Sequence, residues 1–300
     1  MPSDQGSRAY REKQAEAPSQ GVPLATGLGF PEGPAFDGFG NLWCVELSAG
    51  SLWQRTPHGE IRRHFVGGRP NGLAIDQNGS VWFCDSGVNA VRRLDPINGS
   101  VSTVIHAING VPLAKPNDLA FDARGNLVFT CPGESRSEPT GYVCCLSAGG
   151  DLTVISDGLY FPNGLAFTAG DASLLIAETR RQRLWSGTWT ADTCTWSGPG
   201  VFASTAGPIG PDGIAISESG DVYIAVHGTN QIEIKDANGR HRGSLSVGEG
   251  NPTNCAFDPS GTLGLVVTET TRGAILSFGD LGPGLALPPF RGSQAQISPG

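Results

Sequence analysis

No apolar run in this 300-residue chain exceeds a few residues, which excludes a membrane-spanning helix of about 20. Charge is scarce as well, at 16% of residues, and 20 basic against 28 acidic side chains leave a net charge of −8. No dense basic patch offsets it. The tightest group, Arg180-Arg181-Gln182-Arg183, is short and reads as a solvated turn, so a nucleic-acid partner is not expected. The first twenty residues are polar and lack the apolar core of a secretory signal. The seven cysteines are odd in number, none has C-x-x-C spacing, and no Cys/His group has zinc spacing. Reduced, mostly buried thiols in a cytoplasmic protein are the expectation. A G-x-S-x-G elbow, a P-loop and H-E-x-x-H are all missing. Gly27-Leu28-Gly29 precedes a strand-like run rather than a helix, which removes a dinucleotide-binding reading.

Glycine and proline are plentiful, at 44 and 22 residues, which disfavours helical bundles, while 38% hydrophobic residues suffice for a core. These residues are organised as a repeat. FPEGPAFDGFGNLWCVE, RPNGLAIDQNGSVWFCD, KPNDLAFDARGNLVFTC, FPNGLAFTAGDASLLIAE, GPDGIAISESGDVYIAVH and NPTNCAFDPSGTLGLVVTE share one pattern, anchored at Pro31, Pro70, Pro116, Pro162, Pro211 and Pro252. The gaps of 39, 46, 46, 49 and 41 residues each hold a β-hairpin and two further strand-like runs, such as Ser51–Arg55 and Ile61–Gly67. Four short strands per unit predict an all-β fold, a six-bladed β-propeller of four-stranded blades. The propeller is expected over 21–280, after a polar, flexible segment 1–20 and before a C-terminal tail 281–300. The run Val22–Leu28 precedes the first repeat, whereas one clear strand, Gly273–Phe278, follows the last. The N-terminal run is therefore expected to supply the missing strand of the last blade and hide two sheet edges; Gly284–Phe290 is the competing candidate.

The residue after each repeat proline is Glu32, Asn71, Asn117, Asn163, Asp212 or Thr253. In a propeller these six positions converge at one mouth of the central channel. Asn and Asp are ordinary turn residues there, but Glu32 is not, and clustered carboxylates near a closed axis require a compensating cation. The oxygen-rich set suits a hard divalent ion, Ca²⁺ first and Mg²⁺ or Mn²⁺ next. Asp118 takes the place of the usual glycine after the ring residue. The second strand of five hairpins ends on Glu46, Asp85, Glu178, His227 and Glu269, read as a mixture of rim residues and substrate contacts. The tryptophans fall mostly in strands and read as packing between blades.

FPEGPAFD, PNDLAFD, FPNGLAF, GPDGIAI and PTNCAFD, in this order, resemble the gluconolactonase, senescence-marker-protein (regucalcin) and luciferin-regenerating-enzyme family over roughly residues 22–280. The resemblance implies one divalent metal ion on the axis, Ca²⁺ first with Mg²⁺, Mn²⁺ or Zn²⁺ admitted, held by Glu32, Asn163 and Asp212, with Asn117 as a fourth ligand or substrate contact. It implies Asp212 as proton acceptor and donor; Asp118, beside Asn117, is the second candidate for the general base on the reading of the residues. Lys115 stands where sugar lactonases of the family carry arginine, and Glu134 lies near where they carry a substrate-contacting acid. Asn71, Arg69 and His227 complete the expected substrate contacts.

The expected activity is metal-dependent hydrolysis of a small-molecule lactone by a monomer or dimer, without a membrane partner. Phosphotriester or fluorophosphonate hydrolysis on the same site is the alternative, since the diisopropyl-fluorophosphatase branch has a similar Glu-Asn-Asn-Asp set. A non-catalytic binding propeller is the third reading, because fold alone assigns no function.

Overall fold

The structure of the protein, a computed structural model, describes residues 21–285. Segment 1–20 and most of the expected tail lie outside those residues. Six four-stranded antiparallel sheets form the blades of the propeller. Strand β1 (Val22–Ala25) comes first. Blade 1 holds β2 (Pro31–Phe36), β3 (Leu42–Glu46), β4 (Ser51–Arg55) and β5 (Ile61–Phe65). Blade 2 follows with β6 (Pro70–Ile75), β7 (Val81–Asp85), β8 (Ala90–Leu94) and β9 (Val101–Ile105). A two-stranded ribbon, β10 (Ala107–Ile108) and β11 (Val111–Pro112), leads into blade 3, which holds β12 (Leu119–Phe121), β13 (Leu127–Cys131), β14 (Gly141–Leu146) and β15 (Leu152–Leu159). Blade 4 contains β16 (Pro162–Phe167), β17 (Ser173–Glu178), β18 (Arg183–Thr190) and β19 (Thr195–Ser204). Blade 5 contains β20 (Gly210–Ile216), β21 (Val222–His227), β22 (Gln231–Lys235) and β23 (His241–Ser246). Blade 6 has β24 (Pro252–Phe257), β25 (Leu265–Glu269) and β26 (Ala274–Phe278) from its own repeat.

The fourth strand of blade 6 is β1, which pairs with β26 in the register Val22↔Ser277 and Pro23↔Leu276. The N-terminal run therefore closes the ring, as the repeat phase predicts. Gly284 and Leu285 instead bond to Ser217 and Ile216 of blade 5, Leu285 donating its N–H to Ile216 O at 3.2 Å.

Each blade is apolar on both faces, and six buried clusters fill the six gaps between neighbouring blades. Trp43 and Trp53 are fully buried there. Several tryptophans also lock turns: Trp43, Trp82 and Trp189 donate their indole N–H to Asp37, Asp76 and Asp122, at 2.9, 2.9 and 3.0 Å. Those aspartates end the inner-strand repeats and accept backbone N–H groups two and four residues on, closing the hairpins.

The inner strands surround a channel of about 930 Å³, lined at one repeat position by Ala35, Ala74, Ala120, Ala166, Ala215 and Ala256. Small side chains are required there because the blades taper towards the axis. All seven cysteines are free thiols, six of them buried. Among the described residues no helix is long and apolar enough to cross a membrane.

Candidate metal centre

The six ring residues occupy one end of the inner strands. Immediately after them come Gly33, Gly72, Asp118, Gly164, Gly213 and Asn254, and at this level the blades touch backbone to backbone. A Cβ on Gly33 would lie 2.6 Å from Leu73 N, one on Gly72 2.6 Å from Asp118 Cα, one on Gly164 2.7 Å from Gly213 Cα, and one on Gly213 2.6 Å from Asn254 Cα. Glycine at these four positions is thus a packing requirement that brings successive blades together. The two exceptions, Asp118 and Asn254, stand on opposite blades, 3 and 6. Their side chains meet across the axis, Asn254 Nδ2 donating to Asp118 Oδ2 at 3.4 Å. This pair forms the floor of a polar cup and separates it from the channel below.

Three carboxylates are buried in the cup: Glu32, Asp118 and Asp212. Glu32 accepts the Gly33 N–H at 2.8 Å, which with the Asn254 amide favours its charged form. Burial and the nearby Asp118 charge nevertheless push its pKa up to about 8. Burial raises Asp118 to about 6, against the opposing Leu119 N–H and Asn254 amide. Asp212 is raised well above the usual carboxylate range by burial and then by Glu32 and Asp118, with a hydrogen bond from Asn163 opposing. No Lys or Arg among the described residues pairs with any of the three. His227 Nδ1 is 3.8 Å from Asp212 Oδ2, but burial lowers the imidazole pKa and leaves it a poor counter-charge.

Threonines hold the ring in place. Thr179 Oγ1 accepts from Asn163 Nδ2 at 3.3 Å and donates to Pro211 O at 2.7 Å, tying blade 4 to blade 5. Thr130 Oγ1 donates to Asn163 O at 3.0 Å and accepts the Asp118 N–H at 3.1 Å. Thr253, sixth in the ring, donates to Pro31 O at 3.1 Å, which joins blade 6 to blade 1 and makes it a staple rather than a ligand.

Glu32, Asn71, Asn117, Asn163 and Asp212 share this mouth, and Glu32, Asp118, Asn163 and Asp212 are linked by the contacts above. Blade 3 departs slightly from the repeat: β12 begins at Leu119, although Asn117 N–H still bonds to Thr130 O at 2.9 Å. Lys115 and Glu134 form an exposed ion pair on the rim, and Arg69 is an exposed rim residue. His227 borders Asp212 and makes hydrogen-bond contacts with Pro252 O at 3.3 Å and Asn251 at 3.4 Å.

Four strand-end acids are not substrate contacts. Glu46, Asp85, Glu178 and Glu269 are buried and bonded to Arg63, Arg92, Arg183 and Arg272 at 2.6, 2.8, 2.7 and 3.1 Å. Asp85 and Glu178 also accept the Arg69 and Tyr160 N–H groups, so these carboxylates fix the loops leading into the ring. Sequence reasoning missed Asn254 and Thr179. Asn254 carries the same signal as Asp118, a polar side chain where the repeat has glycine.

Among the described residues no three His, Cys, Asp or Glu side chains close on one point. A cation here would therefore depend on the asparagine carbonyls as much as on the carboxylates. The chemistry of the set fits a hard divalent ion: oxygen donors only, and buried negative charge without a cation among the described residues to offset it.

The family model described as SMP-30/Gluconolactonase/LRE-like region matches residues 30–271. A gluconolactonase from Zymomonas mobilis is 29% identical over 209 residues, 64% of this chain and 58% of that protein. The diisopropyl-fluorophosphatase of Loligo vulgaris is 26% identical over 290 residues, 82% of this chain and 88% of its own length. Among solved structures, the calcium-binding protein regucalcin from Agrobacterium tumefaciens has the same fold, with a TM-score of 0.78 at 20% identity over 91% of this chain and 98% of that one. The propeller, the ring motifs and the match over residues 30–271 place this chain in the SMP-30/gluconolactonase/LRE-like family.

Proposed function

We propose that this protein is a metal-dependent lactone hydrolase. The observation that carries the reading is the cup: Glu32, Asp118 and Asp212 buried beside Asn117 and Asn163, with no Lys or Arg among the described residues to balance them. The similar gluconolactonase supports the substrate class. Glu32, Asn163 and Asp212, with Asn117, would hold one divalent cation, Ca²⁺ first, which supplies Lewis-acid stabilisation of charge developing on the lactone carbonyl oxygen.

Asp212 is the general base. Its Oδ2 faces His227 at the side of the cup, whereas Asp118 is engaged on both oxygens by Leu119 N–H and Asn254. Asp212 accepts a proton from the water that attacks the carbonyl carbon. It then returns that proton to the ring oxygen as the acyl C–O bond breaks, leaving the hydroxy acid. Asp118 and Asn254 keep Glu32 and the cup floor in place.

The test is pH-stat hydrolysis of aldonolactones and aliphatic lactones by metal-stripped protein, before and after adding Ca²⁺, Mn²⁺, Mg²⁺ or Zn²⁺. Activity lost on chelation and restored by one cation is expected. Silence with every cation refutes the lactonase reading. The likeness to diisopropyl-fluorophosphatase over 82% of the chain supports a second reading, hydrolysis of a phosphorus ester with Asp212 as nucleophile. Single-turnover reaction in ¹⁸O-water would then leave label in the protein.

A further inference from the structure

We propose that the substrate of this site is a lactone bearing a carboxylate, which Arg180 receives at the rim of the cup; this rests on the lactonase reading above. The chain is acidic overall, with a net charge of −8. Its cup mouth nevertheless gathers cations. Arg69 and Lys115 each stand two residues before a ring asparagine, Asn71 and Asn117. Three arginines gather about Tyr160 and Phe161, which lead into Pro162 and Asn163. The backbone N–H of Arg180 donates to Tyr160 O at 3.2 Å, the Arg181 guanidinium lies 3.8 Å from the Tyr160 ring centre, and that of Arg136 lies 5.0 Å from the Phe161 ring centre.

These cations differ from the arginines nearby. Arg63, Arg92, Arg183 and Arg272 are each committed to a buried strand-end carboxylate. Lys115 is committed to Glu134, and Arg136 and Arg181 rest on aromatic rings. Arg69 and Arg180 are exposed and have no carboxylate partner among the described residues. Glu138 and Glu249, in loops of the same face, form no ion pair with them.

Arg180 is the better placed of the two. It follows Thr179, the residue that bonds both Asn163 Nδ2 and Pro211 O and so bridges the blades of Asn163 and Asp212. On the far side of that bridge, Asp212 Oδ2 lies 3.8 Å from His227 Nδ1. Arg180 therefore stands at the exposed end of the bridge that joins the blades of Asn163 and Asp212. A neutral lactone would leave the guanidinium unused, whereas a carboxylate on the lactone ring would accept its paired N–H groups in a bidentate contact.

The test separates binding from turnover. Calorimetry on the full chain saturated with Ca²⁺ uses 3-oxocyclopentane-1-carboxylate and its methyl ester, carbocyclic ketones with no lactone bond to break. The carboxylate should bind at least about tenfold more tightly than the ester. That ratio should shrink as NaCl rises from about 20 to about 500 mM. Arg180→Gln should bring it close to one, and Arg180→Lys should restore part of it. Equal binding of acid and ester, or a ratio that survives Arg180→Gln, overturns the proposal. Turnover of 5-oxotetrahydrofuran-2-carboxylate and its methyl ester reports separately on the lactonase reading. Arg180-dependent binding of the keto acid without turnover of either lactone would retain the anion site and remove the lactonase.

Discussion

Substituting Gly164 by alanine tests whether the close approach of the blades holds the site together. Gly164 has no left-handed backbone, so the strain comes from packing alone. The new Cβ would point at Asp212 O and stand 2.7 Å from Gly213 Cα, where ordinary contact begins at 3.4 Å. Both neighbours are backbone, so blades 4 and 5 must separate by roughly 0.7 Å or more to relieve an overlap of the kind that costs about 1–3 kcal/mol. For a domain of this size each kcal/mol lowers the melting temperature by about 2–4 °C, giving an expected drop of about 2–12 °C. Asn163 and Asp212 immediately precede the two colliding glycines, so the cation site should suffer more than the fold. Displacement of this order costs up to about 100-fold in rate. Gly200→Ala is the control, since its Cβ would meet nothing within 4 Å; it should change stability by less than about 0.5 kcal/mol. The assays are thermal melting monitored by circular dichroism and calorimetric Ca²⁺ titration. If Gly164→Ala melts with the wild type and binds Ca²⁺ equally well, the backbone contact does not shape the site.

Asp212→Asn should lower kcat by about 10²–10⁴-fold while Ca²⁺ binding is largely kept; unchanged turnover would remove Asp212 from the chemistry. Without metal, Glu32 titrates in the folded protein at about 8 and Asp118 at about 6, above their ordinary values of 4.5 and 3.8. The folded state then holds protons that the unfolded chain releases, so chelated protein should be most stable at acid pH and lose stability as pH rises through about 6 and then about 8. Melting curves between about pH 5 and pH 9 should show this loss, and Glu32→Gln should reduce its upper part. Saturating Ca²⁺ at about 100 times its Kd should raise stability by about 2.7 kcal/mol in the wild type and far less in Glu32→Gln. Thr179→Val keeps the volume but leaves Pro211 O without its donor. It should cost about 1–3 kcal/mol in chemical denaturation and weaken Ca²⁺ binding.

The architecture was legible because the repeat states it six times. The spacing of Pro31 to Pro252 sets the blade count, and the phase of the strands assigns β1 to the last blade. Ring membership of Glu32, Asn117, Asn163 and Asp212 was legible for the same reason: one offset from one proline becomes one height on the axis. What the repeat does not encode is pairing between blades. The Asp118–Asn254 contact joins residues in the third and sixth repeats, and neither reveals the other. Strand-end acids look like site residues in sequence because they share the face of the ring. Their arginine partners follow at offsets that vary from blade to blade, Arg63 on β5, Arg92 on β8, Arg183 on β18 and Arg272 in the turn after β25. Arg180 reads as part of a solvated turn because only the folded chain makes its neighbour Thr179 the bridge between the blades of Asn163 and Asp212.

The pairing of β1 with β26 makes the sixth blade unlike the others in how it must assemble. Blades 1 to 5 can form from contiguous sequence as the chain emerges. The sixth waits for the two ends of the propeller to meet, a loop closure whose entropic cost is about 5 kcal/mol at this separation. Until then β26 presents a bare edge to other molecules, so the interval before closure is when the protein is most open to aggregation. A circular permutant cut at another blade junction would move that late step and its exposed edge to a different blade. If closure governs the folding rate, the permutant's slow phase should move with the cut.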